Sequence, residues 1–193
     1  MLGFAAVLAA VGLVDVALGD PEAAVLVLLK VGLRKDVEPR AGGNGLMHQT
    51  RAATPSASGL GDTTLGAQWC YLRNGPLGMD EAVQLTLKVP TASAPKGLGS
   101  GEPDETLMLL LRRDLGPFHA DANILATRLG RPAAEGGGAV FQPAATLSLS
   151  RALDERLVLD AGLDVGLSHG AQKLSLFAGL TVGMFRVRRP PAQ

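Results

Sequence analysis

Three observations predict an all-β protein of antiparallel strands. Apolar residues recur at every second position, as in "ERLVLDAGLDVGLS" at 155–168, where Leu157, Leu159, Ala161, Leu163, Val165 and Leu167 alternate with Asp160, Gly162, Asp164, Gly166 and Ser168. Side chains leave opposite faces of a strand at alternate residues, so one face is apolar and the other carries carboxylates. Glycine and proline cluster between such runs, which is the punctuation of many short connections. The runs 63–73, 117–128, 156–168 and 174–185 also reach the roughly 9–11 residues of a tilted membrane-crossing strand, where globular strands average ~5–6. A soluble barrel or sandwich packs its leucines inward, whereas a membrane barrel turns them to lipid and leaves the aspartates to a wet interior. Strand length favours the membrane barrel.

The opening run "MLGFAAVLAAVGLVDVALG" (1–19) has signal-peptide length and a small-x-small ending at Ala17-Leu18-Gly19. With "GDPE" (19–22) as a turn it reads equally as a first strand region. Asp15, Asp20 and Pro21 interrupt it before the roughly 20 apolar residues of a spanning helix accumulate. Within 20–60, Val25, Val27, Leu29, Val31 and Leu33 predict a strand over 23–34. Residues 35–60 carry charge, glycines at 42, 43 and 45 and little periodicity, which predicts a long loop.

From 61 to 185 the pattern becomes regular. Thr63, Leu65, Ala67, Trp69 and Tyr71 share a face, "NGPLG" (74–78) turns the chain, and Val83, Leu85, Leu87 and Val89 return opposite Gln84, Thr86 and Lys88. The stretch "PTASAPKGLGSGEPDE" separates this hairpin from "TLMLLLRR". "DLGP" then leads into Phe118, Ala120, Ala122, Ile124 and Ala126, opposite His119, Asp121 and Asn123. Three neighbouring polar side chains on one face belong beside water, not in an oil-like core. Ala145, Leu147 and Leu149 alternate with Thr146, Ser148 and Ser150, and "RALDE" turns into the 155–168 run. Leu174, Leu176, Ala178, Leu180 and Val182 close the series opposite Ser175, Phe177, Gly179, Thr181 and Gly183. Seven strands follow residue 61, or eight with 23–34, and 186–193 form a basic tail.

Eighteen basic residues balance eighteen acidic ones, so no net field attracts nucleic acid. The single cysteine, Cys70, excludes an internal disulfide and a multi-cysteine metal site. "GLGSG" (97–101) runs into Glu102, Pro103 and Asp104 instead of a helix N-terminus, so it reads as a loop and not as a phosphate cradle. His119 and Asp121 have the spacing of two metal ligands, but no further His or Cys joins them. Ser168-His169 lacks a nucleophile-elbow context. The residues therefore predict neither enzyme nor cofactor, and Gln68, Lys88, His119, Asp121, Asn123, Asp160 and Asp164 are the candidates for a polar lumen. In a barrel as small as ~8 strands such side chains fill the interior and make a plug or a narrow filter.

The segments "SGLGDTTLGAQWCYL" (58–72), "LTLKVPTASAPKGLGSGEPDETLMLLLRRDLGPFHADANI" (85–124), "RLVLDAGLDVGLS" (156–168) and "LFAGLTVGMF" (176–185) resemble, in this order, a bacterial outer-membrane family named for the MetA pathway of phenol degradation. "GLGDTTLG" and "KGLGSGEPD" are the most specific pieces. The resemblance implies an antiparallel up-and-down transmembrane β-barrel of about 8–10 strands. It further implies the outer membrane of a Gram-negative bacterium, contact with outer-membrane lipid, porin-like passage of small apolar or aromatic solutes, and no catalytic residues. Residues 1–57 depart from the pattern. So do Gln68 and Cys70, which stand where the family carries lysine and tyrosine, and the tail "RVRRPPAQ", which follows Phe185 where an aromatic residue usually ends the chain. The chain also falls short of the pattern by a hairpin near 135–150, as in an incomplete member. Two other readings are a soluble ligand-binding β-barrel with an apolar interior and a lipid hydrolase using Ser168 and His169 at the rim. Substrate and oligomeric state are not legible.

Overall fold

The period-two runs become strands, and every strand is antiparallel to its neighbours. The computed structural model describes residues 5–15, 22–32, 34–49, 56–154, 157–168 and 174–183. Its strands are β1 (Ala5–Asp15), β2 (Glu22–Gly32), β3 (Val37–Gln49), β4 (Ala57–Gly59), β5 (Thr63–Leu72), β6 (Met79–Val89), β7 (Asp104–Leu115), β8 (Phe118–Gly130), β9 (Ala139–Ala152), β10 (Leu157–Gly166) and β11 (Ser175–Gly183). Consecutive strands pair from β5 to β11, β11 pairs with β1, β1 with β2, β2 with β3, and β3 with β5. The pairings therefore form a closed cycle, and the short β4 lies outside it against β3. The seam between β1 and β11 is the shortest of the cycle, with the three pairs Ala9–Gly183, Ala10–Val182 and Val11–Thr181.

The rows of paired residues climb as they circle. One row runs from Leu28 through Gly42, Thr64, Lys88, Asp104 and Leu129 to Val140. In the other direction Leu26 leads through Val11, Thr181 and Val158 to Ala152. Those two end points lie at opposite ends of β9, which is the stagger that tilts strands in a closed barrel.

One expectation is corrected here. The predicted loop at 35–60 is mostly strand: β3 spans Val37–Gln49 and is hydrogen-bonded on both edges, by β2 and β5, so it needs no apolar alternation to be held. Within the run read as a signal peptide or a first strand region, Ala5–Asp15 is a strand paired along its whole length with β2, itself inside the strand expected over 23–34 but for its first residue. The strand expected around 145–150 is present as β9, which pairs on both sides. What hid β3 from the sequence is a bulge. The β2–β3 register shifts between Val25 and Leu26, opposite Gly45, and reverses the alternation so that Met47 is buried and Leu46 exposed. Gly43 sits at φ +143°, where an added Cβ would run into the Asp62 carbonyl.

Burial identifies the faces. On β5 the odd residues are exposed and the even ones half-buried, and β6 and β7 repeat this with Leu85, Leu87, Leu107 and Leu109 exposed against Gln84, Thr86, Lys88, Thr106 and Met108. In a closed ring the more exposed face is the convex one, so the leucines point outward. Leu85 is 61% exposed and Leu176 73%. Among the described residues the only buried hydrophobic side chains are Met47, Ala82 and Leu98. The inward-leucine arrangement of an apolar-cavity barrel is not the one adopted.

The connections are unequal. Those at 33–36, 73–78, 116–117 and 153–156 join strands at one end, while 16–21, 50–62, 90–103, 131–138 and 167–174 join them at the other. Most of the long connections thus gather at one mouth of the ring.

Candidate functional site

The inner face is polar because every ring strand from β5 to β10 contributes its even or odd hydrophilic set to the same side. Gln84 lies between Gln68 and Met108, Thr86 pairs with Thr106, Thr106 with Thr127, Asn123 with Thr146, and Thr146 with Asp164. Hydroxyls lace this surface: Thr106 and Thr127 meet at 2.9 Å, and the Thr146 hydroxyl donates to Asp164 Oδ1 at 2.6 Å. Met108, Leu110 and Leu125 add a short apolar strip on the same face of β7 and β8, and Phe177 lies inside against Gly162, where a Cβ would meet its ring at 2.6 Å.

Near the short-connection end the interior is strongly charged. Arg112 holds Asp121 through two contacts, at 2.7 and 3.2 Å. On the facing side Arg40 pairs with Glu38 at 2.8 Å and donates to Gln84 Oε1 at 2.5 Å. Lys30 lies within electrostatic reach of Arg40, Glu38, Arg112 and Asp121, which brings β2 and β3 close to β7 and β8 across the interior.

The long-connection mouth is built by the two most specific sequence motifs. Lys88 Nζ lies 2.5 Å from Asp104 Oδ2 and 3.5 Å from Asp62 Oδ2, and donates to Ser100 Oγ at 3.0 Å. Asp62 also accepts the Ala92 N–H at 2.9 Å, and Asp104 the Gly130 N–H at 2.9 Å. Leu98 is buried against Gly59, and Gly99 leaves room for the Asp62 carboxylate, which an added Cβ would meet at 2.8 Å. Thus "GLGD" at 59–62 and "KGLGSGEPD" at 96–104 dock on one another around a shared lysine. Each glycine there has a steric or conformational duty, since Gly97 also takes φ +70° to end the turn Ala94–Lys96.

The sequence-derived candidates are thereby placed. Gln68, Lys88, Asp121, Asn123, Asp160 and Asp164 all lie on the inner face, but they do not converge on one point. Asn123 and Asp164 share a row through Thr146, Asp121 belongs to the charged level, and Lys88 sits at the mouth. Asp160 rests over Gly179, where a Cβ would meet its carboxylate at 2.8 Å. Gln68 Oε1 and Asn123 Oδ1 are buried without a protein partner, as expected of groups that take hydrogen bonds from water. His119 lies at the rim, where its Nδ1 meets Asp114 Oδ1 at 2.6 Å. His169 and the tail after 183 lie outside the described residues. No group of three or more His, Cys, Asp or Glu that could hold a metal occurs among the described residues.

Sequence reasoning missed Lys30, Glu38, Arg40, Asp62, Asp104 and Arg112. Arg112 was recoverable, since it shares parity with Thr106 along "TLMLLLRR"; the β3 residues were hidden by the bulge and the glycines. Fold and interior together define a class: an antiparallel, barrel-like β-sheet that, among the described residues, is apolar on its outer face and charged and hydroxyl-rich on its inner one. No protein-family model and no curated protein matches the chain.

Proposed function

We propose that the protein is an outer-membrane β-barrel of a Gram-negative bacterium that passes small solutes passively through its interior. The observation that carries this reading is the inversion of polarity, with leucines on the convex face and charges and hydroxyls within. Each leucine left in water forgoes about 1.5–3 kcal/mol of burial. A folded domain retains only about 5–15 kcal/mol in all, so the leucine-rich apolar belt over the outer face of β5 to β11 calls for a covering, which lipid would supply. Trp69 and Tyr71, edge to face at 6.0 Å on the outer side of β5, suit an interface with headgroups. Short connections at one end and long ones at the other match the periplasmic and external sides of such barrels.

The resemblance to the phenol-degradation family suggests small apolar or aromatic solutes. The strip of Met108, Leu110 and Leu125 beside polar neighbours suits them. Asp160 and Asp164 on the inner face of β10 would bias any ion that enters. Detergent-phase partitioning of the full-length chain, read with a heat-dependent gel shift, tests the membrane reading: an aqueous, unshifted protein overturns it. Planar-bilayer recording of D160N/D164N tests the passage: unchanged conductance and ion selectivity overturn the open lumen.

A further inference from the structure

On the convex side, β8 presents small residues between ridges of larger ones. Ala120 and Ala122 lie opposite Arg113 and Leu111 of β7, and opposite Leu149 and Leu147 of β9. The result is a groove of about 510 Å³ whose floor is β8 and whose flanks are leucines. Phe118 stands at the short-connection end of that floor, and the Arg151 guanidinium of β9 lies 5.5 Å from its ring centroid. Two arginines therefore flank the same end of one apolar trough from the strands on either side of it. Arg40, Arg73, Arg112 and Arg128 are engaged by carboxylates, but among the described residues neither Arg113 nor Arg151 has a carboxylate partner.

We propose that this trough is a binding site for one membrane glycerophospholipid, with an acyl chain along Ala120 and Ala122 and the phosphate between Arg113 and Arg151. This rests on the membrane reading above. The width between the flanking strands is two strand spacings, about 9–10 Å, which accepts a single acyl chain. Guanidinium groups bind phosphate through paired, charge-assisted hydrogen bonds, and their outward position at the short-connection end is where headgroups of one leaflet would lie. Elsewhere the outer belt carries leucines that would touch lipid without selecting it.

Native mass spectrometry of the full-length protein, released from detergent micelles doped with dioleoyl phosphatidylglycerol, tests the site, with the heat-dependent gel shift recorded on the same samples. The wild type should retain one lipid. R113Q/R151Q should weaken retention by about tenfold or more, and A122F, which fills the trough without touching either charge, should do the same. A shifted, folded wild type that retains no lipid overturns the lipid site alone, as does equal retention by folded A122F. A wild type with no gel shift overturns both this site and the membrane reading.

Discussion

Lys88 of β6 places its ammonium 2.5 Å from the Asp104 carboxylate of β7 while also reaching Asp62 at 3.5 Å, and so ties two loops to the mouth of the ring. The three side chains are only 21%, 11% and 10% exposed, so their charges depend on one another more than on water. Removing the lysine leaves two carboxylates facing each other. K88M should lower stability by about 3–5 kcal/mol, the usual cost of breaking a buried pair. The urea midpoint of refolded protein in micelles measures this, and a midpoint equal to wild type contradicts the role given to Lys88.

The Arg112–Asp121 pair is different, because Arg112 is 55% exposed. Its loss should cost less than about 1 kcal/mol in stability. It should nevertheless alter permeation, since it removes one of the cations at the charged level of the interior. R112Q is expected to shift the reversal potential under a salt gradient toward cation preference. An unchanged reversal potential would separate Arg112 from the solute path.

Gly43 combines φ +143° with an Asp62 carbonyl in the place of any Cβ. G43A should therefore destabilise by about 1–3 kcal/mol. G116A makes the control: φ is +64°, but nothing lies within 4 Å of the added Cβ, so only backbone strain of about 1 kcal/mol is incurred. The temperature of the heat-dependent gel shift ranks the two, and equal effects would mean that Gly43 is not sterically required.

Leu85, at the middle of β6 and facing out, discriminates between lipid and water around the ring. In a bilayer L85R should cost about 2–4 kcal/mol. On a surface bathed in water the same change stays within about 0.5 kcal/mol. Unfolding from lipid vesicles supplies the number, and a negligible effect there would argue against a lipid-covered face.

Much of this was legible from residues alone. The alternation in "ERLVLDAGLDVGLS" determined strands, their antiparallel neighbours followed from tight turns such as "DLGP", and the position of Lys88, Asp121, Asn123, Asp160 and Asp164 opposite the apolar residues of their own strands placed them on one side of the sheet. Alternation is unchanged when the two faces of a sheet are exchanged, so it cannot say which side is convex. Only closure of the ring decided that, by turning Leu85 and Leu176 outward and Asp121 and Asp164 inward. Closure also decided β3, whose period is broken at Gly45 and whose partners Leu28 and Thr64 are remote from one another in the chain. The same holds for the meeting of Asp62, Lys88 and Asp104. Such contacts depend on long-range pairing and register, which a local pattern of side chains does not encode.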